Sequence, residues 1–150
     1  MKKITLALMA FIMLTNCGYK KVYSNKNFNF SITKIEKLKE DKLNLIIEKR
    51  LNNFSNKKAL NQISLETNAG KQIIIVSRDT RGDPSRYQMI VKLSVTVTDN
   101  QNKKKNKDII QVFSYNTTAN RFSLNQYEKE IEEILINKII EETIIYLSKF

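Results

Sequence analysis

From Tyr87 to Thr98 the chain alternates almost without a break. Tyr87, Met89, Val91, Leu93, Val95 and Val97 take one parity; Gln88, Ile90, Lys92, Ser94, Thr96 and Thr98 take the other. Successive side chains of a strand point to opposite faces, so this pattern specifies a long strand with one buried face. Whatever else the chain forms must supply an apolar cover for that face.

Two segments offer the cover. Between Glu40 and Phe54, the residues Leu43, Ile46, Ile47, Leu51 and Phe54 recur at the three- and four-residue spacings of a helical face, with Lys42, Asn44, Glu48 and Lys49 largely elsewhere. From about Leu124 to Lys149 a second helix places Tyr127, Ile131, Ile134, Leu135, Lys138, Ile139, Glu142, Ile145 and Tyr146 near one side. Ser123 and Gln126 stand at capping-box spacing ahead of it. Further strands are expected at Phe28–Ile35, Ile63–Thr67, Gln72–Ser77 and Ile109–Tyr115, with a turn at Gly70 between the second and third. DTRGDPS, residues 79–85, reads as a turn built on Gly, Asp and the only Pro. Asp99–Asp108 reads as a hydrophilic hairpin connection, with Lys103, Lys104 and Lys105 at its tip. The order strand, helix, strands, helix buries its apolar surface most simply as an α+β fold. Two helices then lie on one face of a roughly four-stranded mixed or antiparallel sheet. One hundred and fifty residues allow one such core.

The N-terminus has another character. Residues 1–16, MKKITLALMAFIMLTN, pair two lysines with an apolar run from Ile4 to Leu14. The run is too short to span a bilayer, which takes about 20 residues, but has the length of a signal-peptide core. It leads into Leu14-Thr15-Asn16-Cys17, which resembles the bacterial lipobox, with Asn16 in place of the usual Gly, Ala or Ser. That resemblance makes Cys17 the first residue of the mature chain and the site of diacylglycerol attachment, with an added fatty chain such as palmitate. Each buried CH₂ contributes about 0.8 kcal/mol, so such an anchor holds permanently. Residues 17–27 are then a lipidated tether and 28–150 the domain. Gly18, where lipoproteins retained in the inner membrane usually carry Asp, points to the outer membrane.

Inventory narrows the chemistry. There is no His and no Trp, and the one Cys has no internal disulfide partner, so Cys/His metal sites and His-based triads are excluded. No catalytic activity, cofactor or metal is expected. The formal charge is +11; removing the segment ahead of Cys17 takes away two lysines and leaves +9. A basic surface favours anionic partners, although Lys, Asn and Ile are abundant throughout, as a chain-wide bias would produce. Export argues against nucleic acid.

Taken together, three stretches resemble the LPS-assembly lipoprotein family LptE (RlpB). They are Cys17-Gly18-Tyr19 with Val22-Tyr23; the Arg-containing turn running into Tyr87-Gln88-Met89-Ile90 and the alternating strand; and Gln111–Asn116 followed by Phe122 and a final acidic helix ending Ile145-Tyr146-Leu147. The resemblance implies a two-helix, four-strand domain held by its lipid at the periplasmic face of the outer membrane. There it plugs the lumen of the β-barrel protein LptD and takes part in delivering lipopolysaccharide to the surface. Guanidinium groups engage phosphate with paired hydrogen bonds, so Arg78, Arg81 and Arg86 are candidate lipopolysaccharide contacts, with Lys103, Lys104 and Lys105 beside them. For each arginine the competing reading is a solvated loop residue or a pair with Asp79 or Asp83; for the lysines it is solvation. A lipid-anchored periplasmic module binding another anionic ligand or envelope partner is the alternative function.

Overall fold

The structure, a computed structural model, describes residues 28–150. The signal segment, Cys17, Gly18 and the tether lie outside the described residues. The elements run β1 (Phe30–Lys37), α1 (Lys42–Asn52), β2 (Asn61–Arg78), β3 (Pro84–Thr98), β4 (Lys104–Asn116) and α2 (Arg121–Leu147). The four strands form one sheet in chain order. β1 runs parallel to β2 with α1 as the crossover, and the remaining pairs are antiparallel, so the sheet is mixed. Both helices pack on one face of it, which is the α+β arrangement the sequence specifies.

The alternation that defines β3 fixes which face is covered. Met89, Val91, Leu93, Val95 and Val97 are each at most 1% exposed, and they meet Ile63, Leu65 and Ala69 of β2 and Ile109 of β4 on the same side. α2 lays Ile131, Leu135, Ile139 and Ile144 on them, and α1 adds Ile47 and Leu51. Phe28, Phe30 and Phe54 close one end, with ring centroids 5.6 and 5.7 Å apart.

Several boundaries differ from the sequence reading. The first strand starts at Phe30 instead of Phe28. Gly70 does not turn the chain: β2 is one strand of 18 residues in register with β3 from Ser64 nearly to its end, and Gly70 lies opposite Lys92 within it. The glycine signals a bare spot on the sheet, not a bend. The β3–β4 connection is shorter than expected. Asp99 Oδ1 accepts from Gln101 N and Lys103 N at 2.8 and 3.0 Å, and β4 resumes at Lys104, which pairs with Thr98. Lys104 and Lys105 are therefore strand residues, and Lys103 alone belongs to the tip. The final helix is capped by Asn120, not Ser123; its Oδ1 accepts from Phe122 N and Ser123 N at 2.9 and 3.2 Å. The buried stripe of α2 is also rotated from the expected one. Ile136, Ile140, Thr143 and Leu147 are inside, while Tyr127, Ile134 and Ile145 are 41–49% exposed. Isoleucine on nearly every face of this helix blurs its period.

Asn44 departs most from the sequence reading. Its side chain is buried, its Oδ1 accepts from Ala69 N at 2.8 Å and its Nδ2 donates to Ala69 O at 3.2 Å. β1 ends alongside Thr67, so Asn44 takes over as backbone partner where the neighbouring strand stops.

Candidate ligand-binding face

The sequence groups six cations as possible ligand contacts, and the fold separates them. Arg78, Arg81 and Arg86 surround the β2–β3 turn, whereas Lys103, Lys104 and Lys105 sit at the β3–β4 turn. Between Ser64 and Arg78 β2 rises roughly 45 Å, at about 3.3 Å per residue, so the cations form two surfaces at opposite ends of the sheet.

At the arginine end, Asp79 organises the turn. Its Oδ1 accepts from Arg81 N and Asp83 N, both at 2.9 Å, and Gly82 takes a φ of 89° that a side chain would strain. The arginines are held differently. Arg81 lies 3.4 Å from Asp79 and 4.0 Å from Asp83, the local pairing that competes with a ligand role. Arg78 donates to the Gly82 carbonyl at 2.8 Å, and Arg86 donates to Asn116 Oδ1 at 3.4 Å. No carboxylate lies within 4.0 Å of Arg78 or Arg86 among the described residues, which leaves both with donors to offer an anion.

Arg86 belongs to the sheet face that the helices leave uncovered, in step with Gln88, Ile90, Lys92 and Ser94. The register sets Ile74 beside Gln88, Ile90 beside Val112, and Ile110 beside Lys92. An apolar strip thus runs away from Arg86 along the open face, with Ile110 and Val112 54% and 46% exposed. It ends in a hollow of about 390 Å³ where Gly70 carries no side chain, lined by Lys39, Asn68, Lys92 and Ile110 among others. Lys92 is 2.5 Å from Asp108 and holds that carboxyl below its usual pKa, mainly through their hydrogen bond. Beyond this pair the face turns polar, with Thr96, Asn106, Thr98 and Lys104. The open face is thus apolar in one half and polar in the other.

Such a face offers an amphiphile a guanidinium at one end and β-branched side chains along its length. The sequence reading missed the strip. Its signal was the parity of β4: Ile110 and Val112 fall with Ser114 and Asn116, opposite to Ile109, Phe113 and Tyr115. Among the described residues no three His, Cys, Asp or Glu side chains converge as metal ligands would, and no helix is long and apolar enough to cross a membrane.

A mixed four-stranded sheet with both helices on one side and an open, amphipathic opposite face is an arrangement shared with solved structures. No family model matches the chain, nor does any curated protein; solved structures do. Rare lipoprotein B from Shewanella oneidensis superposes with a TM-score of 0.56 at 16% identity, over 79% of this chain and 94% of that one. A minor lipoprotein from Acinetobacter baumannii gives 0.55 at 14%, over 81% and 92%. Lipoprotein B from Nitrosomonas europaea gives 0.58 at 12%, over 87% and 90%. The chain has the fold of rare lipoprotein B, which is the fold its resemblance to the RlpB family implies.

Proposed function

We propose that the chain is a lipid-anchored lipoprotein of the outer membrane that binds lipopolysaccharide and acts with an LptD-type β-barrel in its delivery to the cell surface. The observation that carries this reading is the open face, where exposed apolar side chains share one surface with Arg86 on a fold shared with rare lipoprotein B. A glycolipid presents phosphates joined to acyl chains, and this face presents the complementary pair in the same order. The polar half, with its Thr, Ser and Asn side chains, suits contact with the hydrogen-bonding lining of a barrel. No catalytic step belongs to this reading: the chain works by binding and by occupying space.

Two measurements test it. Isolated from its native membrane in mild detergent, the protein is expected to bring a large β-barrel with it; recovery alone, with normal surface lipopolysaccharide after depletion, sinks the proposal. In binding assays, Arg86→Ala with Arg81→Ala weakens lipopolysaccharide binding in a salt-sensitive way, because exposed charge pairs are screened within about 10 Å at ordinary ionic strength.

A further inference from the structure

The lysine end has no role in that reading. Lys103, Lys104 and Lys105 share it with Lys57, Lys58 and Lys149. Asn56, ahead of the first pair, bonds the backbone of Phe28 and Phe30, and Lys149 precedes Phe150, whose ring lies 4.6 Å from Lys105 Nζ. All six are exposed, and none has a carboxylate within 4.0 Å among the described residues. In their midst Leu60 is 92% exposed, the most exposed of the large apolar side chains described. Phe28, where the described chain begins, enters at this same end, since Phe30 pairs with Asn61.

We infer that this end is a docking surface for the anionic headgroups of a bilayer, with Leu60 dipping between them. Unpaired lysines around one solvated leucine, at the place where the chain leads back toward Cys17, supply the electrostatic and apolar contacts of a peripheral membrane contact. The inference rests on the anchor reading and adds to it an orientation. One acyl-bearing residue on a tether leaves a domain free to tumble; a basic end held at the headgroups points the Arg turn, at the other end of the sheet, away from that leaflet.

The test uses residues 17–150 with Cys17→Ser, so that no acyl chain contributes, and vesicles of phosphatidylethanolamine with or without phosphatidylglycerol. Binding is expected only with phosphatidylglycerol. Each lysine near an anionic surface is worth about fivefold, so Lys103→Gln, Lys104→Gln and Lys105→Gln together lower affinity about a hundredfold at low salt. Leu60→Ser lowers it further, and the triple change of Arg78, Arg81 and Arg86 to Gln leaves it unchanged. The inference is overturned if phosphatidylglycerol dependence survives the lysine changes, if the arginine changes abolish it equally, or if the lysine changes remove lipopolysaccharide binding alone. The anchor is read separately: chain made in an acylating host partitions into pure phosphatidylethanolamine vesicles and Cys17→Ser does not. Failure there counts against the anchor and leaves the lysine result standing.

Discussion

The two halves of β2 differ in burial, against what their apolar content suggests. Ile63, Leu65, Thr67 and Ala69 alternate with Ser64, Glu66, Asn68 and Gly70, and the first set is buried under the helices. From Lys71 to Arg78 the strand carries Ile73, Ile74, Ile75 and Val76, a more apolar run, yet Ile73, Ile75 and Val76 are 39–49% exposed. Burial here follows coverage and not hydrophobicity: α1 meets β2 at Ala69 through Asn44, α2 reaches Lys71 through Glu132, and the exposed apolar run lies beyond both contacts. A half that alternates is a core strand; a half that is apolar on both faces and uncovered is a surface, and in this molecule it adjoins the arginine turn.

Mutations should separate the halves by size of effect. Leu93→Ala, opposite Ala69 in the covered half, is expected to cost about 3–5 kcal/mol in denaturant unfolding, through lost burial and a cavity; a cost below that of Ile75→Ala breaks the distinction. Asn44→Ala leaves the Ala69 backbone groups buried without partners and should cost about 2–3 kcal/mol. Tyr115, buried, donates to Glu128 Oε1 at 2.6 Å, and Tyr115→Phe should cost about 1–2 kcal/mol. Burial first, then the Glu128 carboxylate, pushes this phenol's pKa well above its ordinary value. A phenol raised in the fold stabilises it below about pH 10 and loses that contribution as pH climbs toward the folded value. The wild type should therefore lose stability above about pH 10 more steeply than Tyr115→Phe, and parallel pH profiles would assign the loss elsewhere. Ile75→Ala, half exposed in the uncovered half, should cost about 1 kcal/mol. Arg81→Ala, which gives up only exposed pairs with Asp79 and Asp83, should move stability by about 0.5 kcal/mol or less.

How far the sequence could be read depended on whether the signal was local. The alternation over Tyr87–Thr98 is local and strong, and β3 follows it residue for residue from Tyr87. Both helices were legible because Ile47, Leu51, Ile131, Leu135 and Ile139 keep helical spacing. Asn44 was set largely off the apolar face because a polar residue carries no mark of the backbone it will satisfy; only the early end of β1 creates the need. Gly70 resembled a turn because glycine serves turns and flat sheet surfaces alike. The candidate cations stand within thirty residues of one another in sequence and at opposite ends of the sheet, a separation that depends on strand length. The strip of Ile74, Ile90, Ile110 and Val112 comes from three strands, and pairing alone assembles it.

The early stop of β1 reaches beyond Asn44. Among the described residues, β2 from Gly70 to Arg78 has no neighbouring strand on the side facing away from β3, so its Ile-Ile-Ile-Val run finds no ladder partner there. The opposite border of the sheet, β4, is protected by Lys104, Lys105 and Lys107, charges that discourage another strand from adding there. On β2 only Lys71 and Arg78 guard the ends of the run. A chain released before its partners are in place thus exposes one sticky ribbon, and self-association through it is the failure to expect at high concentration.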